Sequence, residues 1–111
     1  MKNRLACSLG LAAALLMTGT AQAGTQTGKI VTIYARQNDG LLFFLLDTSI
    51  DNRAPCAANN LWIIKEENSE LAKKQMALLI AARTNDMPIT VQGSGACTRW
   101  VNSEDVDTIG L

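Results

Sequence analysis

The sequence contains no histidine, and its 10 basic and 10 acidic side chains balance to a net charge of zero. Histidine is the usual general base near neutral pH and the commonest metal ligand, so its absence argues against acid–base and metal-dependent catalysis. The balanced charge argues against a nucleic acid as partner, because binding a polyanion needs an excess of basic side chains. Five aromatic residues are also few for a surface that stacks on bases.

What the sequence does contain is typical of one small globular domain. Its 111 residues are 48% apolar and 18% charged, a composition that favours a packed core over disorder. No repeat, linker or second domain is visible along the chain.

The first 23 residues have the order of a secretory signal peptide. A basic start over 1–4 precedes an apolar stretch over 5–17, and small residues at Ala21 and Ala23 form an A-x-A cleavage site. The alternatives are a membrane anchor or a core helix, but the stretch is too short to span a bilayer. We expect cleavage after Ala23, a periplasmic or secreted protein, and one mature domain over 24–111 with no membrane span.

Cleavage would leave 88 residues with 8 basic and 10 acidic side chains, a net charge of −2, and two cysteines, Cys56 and Cys97. An exported domain with two cysteines usually pairs them. The alternatives are a metal pair or a reactive thiol, but no histidine completes a ligand set and neither cysteine lies in a C-x-x-C motif. The predicted disulfide closes a span of 41 residues and would stabilise the fold by roughly 4 kcal/mol.

Apolar alternation and turn residues predict the order of strands and helix. Strands are expected over 29–37 and 41–46, joined by a hairpin turn at Asn38-Asp39-Gly40, and over 61–65 and 89–92. A fifth segment over 97–101, a turn over 102–105 and a last strand or strand end over 106–111 follow. Residues 24–28 are expected to be a flexible lead-in. A helix capped by Asn68 or Ser69 should run to about Asn85, with Leu71 and Ile80 on its apolar arc.

This β-β-β-α-β-β order, with one helix between strands three and four, predicts a mainly β domain of the OB-fold type. The OB-fold is a five-stranded, partly open barrel. The alternative is an open antiparallel sheet with the helix packed across one face.

The mature chain resembles the small secreted B subunits of bacterial toxins, namely those of subtilase cytotoxin and the pertussis-like typhoid toxin. The matching stretches lie at 28–32, 56–62, 75–78, 88–91 and 107–111. The resemblance implies an OB-fold, a ring-forming assembly, sugar binding and a toxin A subunit as partner. Two departures weaken the ligand inference: this chain has one cysteine pair where those subunits usually have more, and it lacks the serine-bearing segment that helps them hold sialic acid.

Local motifs give no catalytic residue, no metal site and no cofactor. The Gly93-Ser94-Gly95 stretch is better explained as a tight hairpin than as a phosphate loop, because no helix follows it. Glu104, Asp105 and Asp107 lack the spacing of a calcium loop and are expected to form a solvated turn. The serines have no histidine base.

Two tryptophans are the candidates for binding. Trp62 lies in an apolar run, and core packing is expected there. Trp100 lies beside Arg99 and outside any apolar run. Trp100 and Arg99 are therefore the candidate ligand-binding residues. The alternative is that Trp100 packs in the core.

The second strand is apolar on both faces, which predicts self-association. One face should fill the barrel, and the other should meet a second chain. We expect Leu42, Phe44 and Leu46 at a subunit interface, or else the opposite set at 41, 43 and 45. A pentamer is the first expectation and a dimer the second, with Lys73 and Lys74 lining the pore of a ring.

These observations favour an exported, non-catalytic recognition module that binds a glycan or a protein partner as a homo-oligomer. The alternative is a periplasmic or envelope structural protein with no small ligand. An enzyme is the least favoured class.

Overall fold

The computed structural model describes residues 22–111, so all of the expected leader except Gln22 and Ala23 lies outside the described residues. The elements are β1 (Thr25–Ala35), β2 (Leu42–Leu46), β3 (Leu61–Ile64), α1 (Glu70–Thr84), β4 (Pro88–Gly93) and β5 (Glu104–Gly110). The strands form a closed barrel in the order β1-β2-β3-β5-β4. The predicted OB-fold-like barrel is therefore confirmed, and the open-sheet alternative is wrong.

Strand β1 pairs with two neighbouring strands. Its first half, from Thr25 to Lys29, pairs antiparallel with β4, and its second half pairs with β2. The expected flexible lead-in over 24–28 is therefore wrong: its polar residues are held by ladder bonds to a strand more than sixty residues away. The register shifts between Ile30 and Thr32, which marks a β-bulge.

The core fills the barrel and the gap beneath the helix. Trp62 lies at its centre with no exposed surface, which confirms the expected core packing. The cluster of buried apolar residues also includes Ile30, Phe44, Leu46, Ile64, Ala72, Leu79, Ala82, Ile89, Val91 and Ile109. Polar residues inside it have partners: within residues 22–111, no buried side-chain nitrogen or oxygen lacks a hydrogen bond.

On strand β2, the residues expected at a subunit interface face the inside of the barrel. Phe44 and Leu46 are buried in the core of a single chain, and Leu42 packs against it. The subunit interface expected at these residues is therefore corrected for Phe44 and Leu46, because they have almost no surface left for a second chain, whereas Leu42 is half-buried. In the opposite set, Leu41 is fully buried as well. The opposite positions, Phe43 and Leu45, are half-buried.

Helix α1 has the predicted ends. The Ser69 hydroxyl accepts the N–H of Ala72 at the N-terminus, and Asn85 caps the C-terminus. The face towards the barrel consists of Ala72, Gln75, Leu79 and Ala82. Leu71 and Ile80, expected on the apolar arc, are instead more than half exposed on its flanks. Nowhere in the described chain is a helix long and apolar enough to cross a membrane.

Cys56 and Cys97 form the predicted disulfide, with a Cα–Cα distance of 6.1 Å. It joins the β2–β3 loop to the β4–β5 loop. The expected fifth segment over 97–101 is part of that loop, and the last strand begins earlier than expected, at Glu104.

The acidic run is not the solvated turn that its composition suggests. Glu104 and Asp105 pair with Trp62 and Ile63 in the parallel β3–β5 ladder and are 2% and 1% exposed. Of the three acidic residues, only Asp107 is exposed. Backbone N–H groups that donate to both buried carboxylates make this burial tolerable.

Candidate functional site

Three aromatic rings and one guanidinium group meet on the outside of the barrel. The Tyr34 ring stacks on Phe43 with centroids 4.6 Å apart, and Trp100 meets Phe43 edge-on at 5.4 Å. The guanidinium carbon of Arg36 lies 4.8 Å from the centre of the Trp100 ring and 5.9 Å from that of Phe43. Such distances give both aromatic pairing and cation–π attraction. We call Tyr34, Arg36, Phe43 and Trp100 the aromatic–arginine cluster.

The β-bulge in β1 places Tyr34 in this cluster. Strict alternation from Ile30 would give Tyr34 the same inward direction. Because the register shifts by one residue after Ile30, Ile33 packs against the core and Tyr34 faces outward, opposite Phe43 on β2. Tyr34 is 41% exposed, so the stacked pair is open to a ligand.

Arg36 is held in place by the hairpin turn that follows β1. Its Nε and Nη2 atoms donate to the two carboxylate oxygens of Asp39 at 3.0 and 2.7 Å. This bidentate pair holds the guanidinium beside the rings. The hydrogen bond from Arg36, helped by the N–H of Leu41, keeps the pKa of Asp39 well below its ordinary range.

Arg99 connects that turn to the loop before α1. Its Nη2 donates to Glu67 Oε1 and to the carbonyl oxygen of Asp39, both at 2.9 Å. The hydrogen bond from Arg99 lowers the pKa of Glu67 and raises that of Arg99 itself. The sequence predicted Arg99 as a ligand contact. In this structure it instead joins the β1–β2 loop to the loop before α1 through hydrogen bonds.

The resulting chain of charges is neutral. Arg36 and Arg99 contribute two positive charges, and Asp39 and Glu67 contribute two negative ones. Each guanidinium already has a carboxylate partner. The surface therefore offers aromatic faces and paired polar groups rather than an unpaired charge for an anion.

The position of the cluster on the barrel is also informative. Arg36 and Asp39 belong to the end of β1 and the β1–β2 loop, Arg99 and Trp100 to the β4–β5 loop, and Phe43 to β2. In OB-folds, the loops between strands one and two and between strands four and five border the face that binds oligonucleotides and oligosaccharides. The cluster takes Arg36 and Trp100 from these two loops.

The structure brings both predicted ligand residues to the site, but in different roles. Trp100 belongs to the cluster, whereas Arg99 stabilises the loops beside it. Sequence reasoning missed Tyr34, Arg36 and Phe43. Tyr34 and Phe43 could have been found as a cross-strand aromatic pair in the predicted hairpin. That pairing can be predicted only if the position of the β-bulge in β1 is known, because the bulge decides which face of the strand Tyr34 lies on.

A concavity lies where α1 begins, between Lys65, Leu71, Gln75 and Val106. It carries no aromatic ring and no convergent set of paired charges. Among residues 22–111, no group of three or more Cys, Asp or Glu side chains is placed to hold a metal ion. The aromatic–arginine cluster is therefore the stronger candidate.

Comparison with protein-family models, with curated proteins and with solved structures finds no match to this chain. The fold assignment therefore rests on the strand pairing of this chain alone.

Proposed function

We propose that the protein is an exported, non-catalytic recognition module that binds a glycan through the aromatic–arginine cluster. The observation that carries this proposal is the aromatic–arginine cluster itself: Tyr34 stacks on Phe43, Trp100 meets Phe43 edge-on, and Arg36 lies over the Trp100 ring. Arg36 and Trp100 belong to the β1–β2 and β4–β5 loops, which border the surface that OB-folds use for oligosaccharides. The resemblance to toxin B subunits supports the same ligand class. The Cys56–Cys97 disulfide fits an oxidising compartment such as the periplasm or the extracellular space.

The charge balance favours a neutral sugar over an acidic one. An unpaired guanidinium group would favour an acidic sugar, but both arginines at the site already bind carboxylates. A neutral pyranose needs only an aromatic face for its apolar side and hydrogen-bonding groups for its hydroxyls. The polar atoms of the Arg36–Asp39 pair lie beside the rings and can supply the second requirement.

The same carboxylates support a binding role over a hydrolytic one. Glycoside hydrolysis needs a carboxylic acid whose pKa is raised so that it can donate a proton near neutral pH. At this site the pKa values of Asp39 and Glu67 are both lowered by arginine hydrogen bonds. Both groups are therefore ionised near neutral pH and act as structural acceptors.

Assembly as a homo-oligomer, with a pentameric ring first and a dimer second, remains part of the proposal on the strength of the toxin-subunit resemblance. A toxin A subunit is the partner that this resemblance implies. Outside the aromatic–arginine cluster, the large apolar side chains that remain exposed in residues 22–111 are the available contact surface: Val31, Leu71, Ile80, Met87, Val101 and Leu111.

A glycan array probed with the exported protein, followed by calorimetry on the best ligand, tests the binding proposal. We expect binding to glycans with a neutral terminal hexose, and Trp100→Ala should weaken it about tenfold or more. Comparable base–aromatic stacking contacts contribute about 1–3 kcal/mol each. Asn102→Ala is the control, because Asn102 lies two residues away, is exposed and carries no ring.

Binding that is restricted to sialylated glycans, or that is unchanged by Trp100→Ala, would contradict the proposal. No binding at all would favour the alternative, an envelope interaction protein with no small ligand. Light scattering at micromolar concentration addresses assembly separately. A mass equal to one mature chain, unchanged on dilution, would exclude the ring.

A further inference from the structure

Glu104 is a buried carboxylate whose partners are all backbone nitrogens. The residue is 2% exposed, and its Oε2 accepts the N–H of Gly95 at 2.9 Å. The nitrogen of Gly24 lies 3.1 Å from Oε2 and 3.3 Å from Oε1. None of the salt bridges within 22–111 includes this carboxylate. A buried carboxylate without a counter-ion is strongly unfavourable.

Gly24 is also the residue that would begin the mature chain. The A-x-A pattern at Ala21 and Ala23 predicts cleavage of the peptide bond between Ala23 and Gly24. That prediction uses the leader sequence alone and does not involve Glu104. The burial of Gly24 and its contact with Glu104 come from the barrel. The predicted cleavage site and the observed contact with Glu104 therefore meet at one nitrogen atom.

We propose that removal of the leader creates the counter-ion of Glu104: the α-ammonium group of Gly24. Hydrolysis consumes one water and converts the amide into the carboxylate of Ala23, which leaves with the leader, and an ammonium at Gly24. The amide nitrogen carries one hydrogen, whereas the ammonium carries three. It can therefore donate to both oxygens of Glu104 and also neutralise the charge.

The barrel fixes this nitrogen in place. The Gly24 carbonyl accepts the N–H of Gly93 at 2.8 Å, and the next residue, Thr25, exchanges two backbone hydrogen bonds with Asp51. A Cβ on Gly24 would lie 2.9 Å from Glu104 Oε1 and 3.0 Å from a methyl carbon of Ile50. The site therefore fits a glycine whose nitrogen points at the carboxylate.

The consequence is that proteolytic processing strengthens the fold. The precursor has the same buried carboxylate but only a neutral amide facing it from β1. The mature barrel gains a buried ion pair between its first residue and its last strand. This inference does not depend on the glycan proposal, since Glu104 and Gly24 are not part of the aromatic–arginine cluster.

The test begins with the full chain exported under its own leader. The N-terminus of the exported protein is expected to be Gly24, by mass and by N-terminal sequencing. A serine inserted between Ala23 and Gly24 keeps the A-x-A site and shifts the ammonium by one residue. Urea unfolding is then measured for the natural protein, the insertion, Glu104→Gln and the combination of both.

We expect the insertion to lower the folding equilibrium constant roughly tenfold to a hundredfold when Glu104 is present, in the range of a charge-assisted hydrogen bond. In the Glu104→Gln background the same insertion should have much less effect. Asp105→Asn is the matched control: Asp105 is equally buried but accepts from Thr98 and Arg99 rather than Gly24. There the insertion should keep its full effect.

Amine labelling gives a second readout that does not need every variant to be stable. The Gly24 amine of the natural folded protein should react with an amine reagent about tenfold or more slowly than the exposed amine of the insertion, because reaction requires local opening. The proposal is overturned by a mature N-terminus other than Gly24, by equal losses with and without Glu104, or by equal labelling rates.

Discussion

The indole N–H of Trp62 donates to the side-chain oxygen of Gln26 at 2.7 Å, inside the barrel and out of contact with water. The amide of Gln26 in turn donates to the carbonyl oxygen of Thr48, at the end of β2. One polar side chain thus joins β1, β3 and the loop after β2. The largest core residue keeps its donor satisfied by this arrangement.

Trp62→Phe should lower the free energy of unfolding by about 2–4 kcal/mol. The change removes the donor, leaves a buried amide oxygen of Gln26 unsatisfied and opens a cavity beside it. Urea unfolding of the two proteins measures the difference. The same replacement at half-buried Trp100 is the control and should cost less than about 1 kcal/mol. Equal losses at both positions would show that the Gln26 contact is not important.

Gly93→Ala should destabilise the barrel by about 1–3 kcal/mol through overpacking. A Cβ at this position would lie 1.7 Å from Glu104 Oε2 and 2.8 Å from the Trp62 ring, so both side chains would have to move. Gly110→Ala is the matched control, because the nearest atom to its Cβ is 3.9 Å away. Thermal unfolding of both variants tests this prediction, and a similar shift in Tm for the two would contradict it.

The Glu67–Arg99 pair should contribute stability that depends on pH. Because Arg99 lowers the pKa of Glu67 in the folded protein, the contribution is complete above the ordinary value of 4.5 and is lost as pH falls through the lower folded value. Glu67→Gln should therefore reduce stability by about 1–2 kcal/mol at pH 7. That difference should shrink in acid.

Urea unfolding from neutral pH into acid, for the natural protein and Glu67→Gln, measures this linkage. The control is Glu70→Gln, which removes an exposed pair with Lys73 and should cost about 0.5 kcal/mol or less. A difference for Glu67→Gln that stays constant as pH falls would mean that its ionisation is not linked to folding.

Replacement of both cysteines, Cys56→Ser with Cys97→Ser, should lower the free energy of unfolding by about 4 kcal/mol. The disulfide closes a 41-residue span, and its loss restores chain entropy to the unfolded state. Chemical denaturation with and without reductant provides the measurement. Reductant should weaken the natural protein to the same level and leave the double variant unchanged; a natural protein unaffected by full reduction would contradict the prediction.

The features that the sequence predicted correctly depend on local patterns. The helix has a capping residue at each end, the hairpin has an Asp-Gly turn, and Trp62 lies in a continuous apolar run. Each of these signals lies within a few residues of the structure it determines. The OB-fold assignment then follows from the order of the elements along the chain.

The features that were mispredicted depend on partners distant in sequence. Residues 25–29 are polar, and only their pairing with β4 makes them a strand. The sequence around Glu104 and Asp105 is typical of a turn. Their burial in a strand depends on pairing with β3 and on backbone N–H groups that donate to their carboxylates. The bulge that turns Tyr34 outward likewise reflects the fit between β1 and two different neighbours.

The position of β5 between β3 and β4 determines when the barrel can close. The β1–β2 hairpin is local and can form as soon as its residues are available. Closure must wait for Glu104–Gly110, because that strand supplies the ladder on both sides of the gap. Until the barrel closes, the apolar side chains of Leu42–Leu46 are only partly shielded from water. The folding rate of this small domain should therefore be limited by long-range strand pairing rather than by helix formation.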